Sequence, residues 1–328
     1  MKFPRIRSAA VVFLVCVCAA FCACGAGGFE DNFKKYDCFS VNFIDVGEGD
    51  AIFINFNDGK TMLIDCGEKN SANLKAVERY IDAYSGDNID YLVLTHPDYD
   101  HVGNAADIIE NYGIGTAFIP DLIAPQNFIH YYAAYLKLAE KGVNTRVSAT
   151  FEKLCGEEYT LVFLSPNAAD TADSAYDAIN AFDDPPPAAR NAVSPIVYLS
   201  YKGVRFLFTG DAGFSQESVA LANVKNGLID RVLGSGRNVE LGDIDFLKVS
   251  HHGASDASGA EFLSRITPKN AVISVGGDNI YGHPTTETLN GIYSANINCN
   301  VYLTSRVGTV SVLVNADGEV SVITDAKA

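Results

Sequence analysis

The stretch His96-Pro97-Asp98-Tyr99-Asp100-His101 puts two imidazoles and two carboxylates into six consecutive positions. Just before it, the apolar run Ile89–Leu94 reads as a short strand ending at Thr95. Just after it, Val102–Tyr112 carries helical periodicity. The six residues therefore form a tight strand-to-helix turn. On such a turn His96 and Asp98 are placed to face one point, and Asp100 with His101 to face a second point a few ångströms away. Mixed nitrogen and oxygen donors of this kind suit Zn²⁺, Mn²⁺ or iron. Helix capping accounts for Asp100, but not for four such groups in six positions.

The rest of the chain supplies more donors of the same type at similar places. The six histidines are His96, His101, His130, His251, His252 and His283, and five of them follow predicted strands. Phe208-Thr209-Gly210-Asp211 ends a strand in glycine and then aspartate. Ser250-His251-His252-Gly253 follows the predicted strand Ile244–Val249, and Tyr281-Gly282-His283-Pro284 comes after Ala271–Val275. Alternation along an extended strand end would send His251 and His252 to opposite sides, so one of the two is expected at the metals and the other as an acid or a loop brace. His283 is a candidate for the last ligand of the second metal. His130 falls in a predicted helix beside two tyrosines and reads as structural or surface.

Around these motifs the pattern is α/β. Phe39–Asp45, Ala51–Phe56 and Thr61–Asp65 read as strands, with Asn57-Asp58-Gly59 a hairpin turn. Asn73–Tyr84 and Phe128–Lys141 read as helices, and Gly115–Ile119 and Leu161–Leu164 as strands. Ser165–Arg190, with Pro185-Pro186-Pro187, reads as a long loop. Ser194–Tyr201 and Val204–Thr209 form a predicted strand pair, followed by a helix near Ser215–Asn226. Val301–Thr304, Thr309–Val314 and Val320–Ile323 close the chain as strands. Strands first, then strand–helix alternation, repeated in the second half, imply two sheets packed between outer helices. One domain over residues 38–328 is expected.

The 328 residues hold 24 basic and 40 acidic side chains, a formal net charge of −16. Lys2, Arg5 and Arg7 precede an apolar run, Ala9–Ala23, that is too short to span a bilayer comfortably. Residues 1–24 are thus expected to be a signal peptide of lipoprotein type, with Cys24 the lipid-anchored residue and 25–37 a tether. Export to an extracytoplasmic position follows from that reading. Loss of the leader would leave 21 basic residues against 40 acidic, a net −19. Such a surface repels polyanions on average, although bound metals can reverse the field locally. The remaining cysteines, Cys38, Cys66, Cys155 and Cys299, form no CxxC pair, which disfavours a cysteine zinc site.

The run His96–His101 resembles the HxHxDH motif of the metallo-β-lactamase superfamily, with Asp98 where the second histidine is usual. A carboxylate there shifts preference toward harder ions such as Mn²⁺. Phe43-Ile44-Asp45-Val46-Gly47-Glu48-Gly49-Asp50-Ala51 is similar to the DVGQGDA stretch of the hydrolase domain of the ComEC family, the DNA-uptake competence proteins. Leu63–Gly67, Asn191–Leu199, Leu207–Asp211, Leu247–Gly253, Tyr281–Pro284 and Tyr302–Gly308 resemble it in the same order. Glu48 replaces the usual glutamine. No histidine lies between His130 and His251; Asn191 or Ser194 occupies that region. The resemblance implies an αββα sandwich and two divalent ions, zinc or manganese. The implied ligands are His96, Asp98, Asp100, His101, Asp211, His252 and His283, with Asp211 bridging. It further implies hydrolysis by metal-activated water, with Asp100, His251 and His252 available for catalysis. Nucleic acid is the leading substrate. A small ester, amide or phosphoester, or a non-catalytic scaffold of the same fold, is the alternative. Glycines beside Asp50 would serve either close approach to a ligand or a plain turn.

Overall fold

The computed structural model describes residues 38–167 and 175–325; the expected signal peptide and tether lie outside them. The first strands are β1 (Phe39–Phe43), β2 (Ile52–Asn55) and β3 (Thr61–Ile64), followed by helix α1 (Ser71–Tyr84) and β4 (Asn88–Val93). The turn after β4 leads into α2 (Tyr99–Val102) and α3 (Ala105–Asn111). Then come β5 (Gly113–Ile119), α4 (Ile129–Glu140), β6 (Asn144–Val147), β7 (Lys153–Cys155) and β8 (Tyr159–Ser165). The second half runs α5 (Ala175–Asn180), α6 (Pro187–Asn191), β9 (Ile196–Tyr201), β10 (Val204–Phe208), α7 (Phe214–Lys225) and α8 (Leu228–Leu233). It ends with β11 (Phe246–Lys248), α9 (Ala260–Ile266), β12 (Asn270–Ile273), α10 (Thr286–Ala295), β13 (Asn300–Leu303), α11 (Thr304–Val307), β14 (Val310–Val314) and β15 (Val320–Thr324).

Two sheets result, with orders β15-β14-β1-β2-β3-β4-β5-β6 and β13-β12-β11-β10-β9-β8-β7. Both are mixed. The segments β3 to β6 and β10 to β13 pair in parallel, which is where helices cross between strands. The expected αββα sandwich is the observed architecture.

Period-two alternation explains how each strand serves two layers. On β2, Ile52 and Ile54 face the space between the sheets, where Phe39, Phe43, Phe163, Phe206 and Phe208 also pack. Phe53, between them, faces outward against Tyr80 of α1. On β9, Val197, Leu199 and Tyr201 point inward, whereas Ile196 and Tyr198 meet the outer helical layer of the second sheet. A strand buried on both faces reads as a continuous apolar run.

Two expectations are corrected. Ser165–Arg190 is not wholly loop: it contains α5 and α6, with 168–174 outside the described residues. Pro187 sits at the first position of α6, where its missing N–H costs nothing and its fixed φ is already helical. The single helix Val102–Tyr112 is two helices broken at Gly103-Asn104, and the first begins at Tyr99, so Asp100 and His101 are helical. Four helices, α8 to α11, and the short strands β6 and β7 had no strong sequence pattern; β6 is exposed throughout. Of the glycines beside Asp50, Gly49 resolves as a packing requirement, whereas a Cβ on Gly47 would meet nothing within 4 Å. Gly49 has φ +113°, and a Cβ there would lie 2.1 Å from the Asp100 carbonyl oxygen. Only glycine fits that position.

Candidate metal centre

The ends of parallel strands from both sheets converge on one cleft, as open α/β sheets commonly arrange their sites. β3 delivers Asp65, β4 delivers Thr95 and His96, and α2 presents Asp100 and His101. From the other sheet β10 delivers Asp211, β11 the pair His251 and His252, and β12 delivers Ser274.

Asp100, His101 and His252 form one donor group, and Asp211 adjoins its two histidines. His101 Nε2 lies 3.3 Å from Asp211 Oδ1, 3.3 Å from His252 Nε2 and 3.7 Å from Asp100 Oδ2. His252 Nε2 is 3.3 Å from Asp100 Oδ2 and 3.6 Å from Asp211 Oδ1. Ligands at about 2.1 Å around a tetrahedral ion stand roughly 3.4 Å apart. Asp100, His101 and His252 therefore stand at separations that suit the ligands of one divalent cation, with Asp211 Oδ1 beside the two histidines.

Hydrogen bonding on the far ring nitrogens reinforces this. His101 Nδ1 lies 2.8 Å from Asp65 Oδ2, and His252 Nδ1 lies 2.7 Å from the Ser274 carbonyl oxygen. Both partners are acceptors, so both Nδ1 atoms carry protons and, in the neutral rings, both Nε2 atoms present lone pairs. Two lone pairs 3.3 Å apart call for a cation between them. The electrostatics agree. Burial alone would keep His101 neutral, but Asp211, Asp100 and Asp65 hold its pKa well above the ordinary value. Burial likewise opposes the charge on Asp211, yet His101, His252 and His96 hold its carboxyl well below the usual range. The cluster demands positive charge, which a metal supplies by displacing protons.

A second grouping adjoins the first through the other oxygen of Asp211. His96 Nε2 is buried, lacks a hydrogen-bond partner and lies 3.8 Å from Asp211 Oδ2. Burial, then the neighbouring His101, lowers the His96 pKa, so its lone pair is free. His96, His101 and Asp211 together form a second candidate cation group. His251 Nε2 is also 3.8 Å from Asp211 Oδ2 and 3.4 Å from Asn191 Nδ2. Its Nδ1 is held 2.7 Å from Asp256 Oδ1.

Both adjacent histidines thus turn toward Asp211, against the alternation expected of a strand end. The reason is local: His251 and His252 have φ of +47° and +52°, a left-handed turn rather than extended backbone.

Two of the expected ligands stand apart. Asp98 belongs to none of the donor clusters; its Oδ1 accepts a 2.6 Å bond from Arg190 Nε. His283 sits at the rim, its Nδ1 3.7 Å from Glu48 Oε1, its ring 5.6 Å from that of His251. His130 packs against Tyr99 at 4.7 Å and lines the groove beside the cluster rather than the cluster itself.

Several supporting residues had no assigned role in the sequence reading. Asp65 accepts from Thr95 N and Thr95 Oγ1 at 2.8 and 2.7 Å as well as from His101. Because the Thr95 hydroxyl donates to Asp65, its lone pairs are left for His96 Nδ1, 3.1 Å away. Lys248, fully buried, forms a 2.7 Å ion pair with Asp50. That lysine within an apolar strand was the signal available, since a buried cation requires a partner. Asp50, Asp65 and His101 also lie close enough to hold an ion. Lys248 and the Asp65–His101 bond already occupy those atoms, so this group is an ion-pair network.

A family model described as "Metallo-beta-lactamase superfamily" matches residues 44–277. The chain belongs to the metallo-β-lactamase superfamily. Among curated proteins it is 27% identical to ComE operon protein 3 of Bacillus subtilis, over 84% of this chain and 33% of that one. It is 26% identical to Recombination protein 2 of Haemophilus influenzae, over 75% of this chain and 25% of the other. The chain thus spans a third or less of these relatives' length. Among solved structures, the metallo-beta-lactamase fold protein YhfI of Bacillus subtilis aligns with 86% of this chain and 99% of its own, at 13% identity and a TM-score of 0.46. The resemblance to the ComEC-like branch stands in these relatives. Among the described residues no helix is long and apolar enough to cross a membrane.

Proposed function

We propose that this superfamily member is a metal-dependent phosphodiesterase acting on nucleic acid outside the cytoplasm. The observation that carries the reading is the shared Asp211 carboxylate, with His101 and His252 beside one oxygen and His96 and His251 facing the other, and Asp100 next to His101 and His252. Asp100, His101, His252 and Asp211 would hold one divalent ion, zinc or manganese. His96 and Asp211 would hold a second, with Asp98 and His283 candidates to complete the pair as ligands from the rim. Ions bound there supply Lewis acidity to the scissile phosphate and make water a stronger acid. Among the protein groups, His251 is placed to carry a proton. Its Nε2 faces the cluster, its Nδ1 is fixed by Asp256, and its side chain is partly open to solvent. His252 and Asp100 would serve as ligands, and both lie within reach of a proton carried at the cluster.

The similarity to ComE operon protein 3 and the ComEC-like motif set support nucleic acid as the substrate and a place in DNA uptake as the setting. The basic residues Lys2, Arg5 and Arg7 and the apolar run before Cys24 support a lipid anchor at that cysteine, tested by labelling with a tagged fatty acid in the wild type and in Cys24→Ala. For the activity, the purified domain is assayed for bound metal, then on single- and double-stranded DNA with Mn²⁺ and Zn²⁺. Cleavage that disappears in Asp211→Asn, with the fold intact by circular dichroism, is the expected result. Metal binding without any DNA cleavage sinks the proposal.

A further inference from the structure

The chemistry of the groove leading to the cluster limits what kind of nucleic acid can enter. A groove of about 740 Å³ opens beside Asp100. Glu48, Glu68, Asp98 and Asp278 line it with Asp100, and Arg190 is the one Lys or Arg side chain among the described lining residues. That arginine is engaged, by Asp98 at 2.6 Å and the Pro185 carbonyl at 3.1 Å. Beyond the ions that Asp100 would help to hold, a run of flanking phosphates would meet Glu48, Glu68 and Asp278 with no free lysine or arginine on the lining, whereas nucleic-acid channels normally track the backbone with basic groups.

The same groove carries exposed apolar and aromatic surface. Tyr281 is 68% exposed, Ile280 90%, Ile129 76% and Tyr99 43%. The Tyr281 ring lies over His283 at 5.7 Å with 22° between planes, and Tyr99 is braced by a bond to the Lys69 carbonyl. Both rings are thus backed from within the site. Every base offers a π face to such a ring, and the lining carboxylates offer acceptors to base amino groups.

We propose that the groove binds one nucleoside of a short or terminal single-stranded substrate, its base on Tyr99 and Tyr281, and admits only the scissile phosphate to the cluster. Duplex is excluded because its bases are already stacked and its second strand adds phosphates. The inference rests on the phosphodiesterase reading and narrows it to short ends.

The test compares two chromogenic phosphodiesters, the p-nitrophenyl ester of thymidine monophosphate and methyl p-nitrophenyl phosphate. It also compares a dinucleotide with a strand of about thirty nucleotides and with its duplex. The nucleoside ester is expected to have the higher kcat/KM, and the ratio to fall about tenfold or more in Tyr281→Ala and in Tyr99→Ala, through KM. The dinucleotide is expected to be cleaved faster per end than the long strand, and the duplex slowest. An unchanged ratio in both variants, or duplex as the best substrate, overturns the inference while leaving a phosphodiesterase. If neither the esters nor any of the nucleic acids is cleaved, the phosphodiesterase reading fails, and binding of the dinucleotide to metal-loaded protein decides the groove on its own. Loss of that binding in the tyrosine variants supports the inference, and absence of binding by the wild type overturns it.

Discussion

At the scale of single residues, the centre depends on groups that never touch an ion. Asp65 accepts from His101 and Thr95, and Thr95 in turn accepts from His96. Asp65→Asn removes an acceptor and introduces a donor facing others. Metal affinity is expected to fall roughly tenfold to a hundredfold, as for other groups that orient ligating histidines. Competition with a calibrated chelator measures it, and an unchanged affinity would mean the ring tautomers are set elsewhere. Lys248 and Asp50 make a second test. Both are buried, and Lys248→Met leaves the Asp50 charge stranded, costing about 3–5 kcal/mol. The double variant Asp50→Asn, Lys248→Met should regain more than half of that in urea unfolding. Failure to regain it would show that the pair acts through geometry rather than charge.

At the scale of elements, the loop between the His251-His252 turn and α9 is held from below. Glu217 on α7 accepts from Ser258 N at 2.6 Å and Gly259 N at 2.9 Å, and this loop carries Asp256, the partner of His251. Burial pushes the Glu217 carboxyl up to about 7, against the two N–H bonds and in the same direction as Asp256. Below pH 4.5 the group is neutral in folded and unfolded chains alike. Between 4.5 and about 7 the unfolded chain releases its proton while the folded chain keeps it. The stability contributed by Glu217 therefore falls as pH rises through that window, by roughly 3 kcal/mol, and is level above it. Unfolding midpoints of the wild type and Glu217→Gln, taken every half pH unit, should show the difference shrinking across the window; a constant difference would contradict it. The elements also show what a sequence reader can find. Long periodic segments such as α1 and α4, and the donors at strand ends, were legible. The α2–α3 break and the left-handed His251-His252 turn were not, because close approach of distant backbone decides them. Asp98 and His283 were legible as donors, but Arg190 and Glu48, from remote parts of the chain, determine where they point.

At the scale of the whole molecule, donors from both sheets meet at Asp211, so ion binding and sheet packing are one equilibrium. Removal of metal is expected to lower Tm, and added metal to raise it steadily with concentration. Calorimetry with and without chelator checks this, and a Tm indifferent to metal would place the ions outside the folding reaction. The sandwich itself was readable from the alternation of strands, since its two apolar faces repeat in each half. The bond pattern of Asp65 has one further consequence. One carboxylate sets the hydrogen bonding of His101 directly and of His96 through Thr95, and these histidines face opposite oxygens of Asp211. The two positions are wired to a common switch. A designer who wishes to retune one of them, for a different ion or a different rate, cannot do so from behind; the change must be made at the ligands themselves.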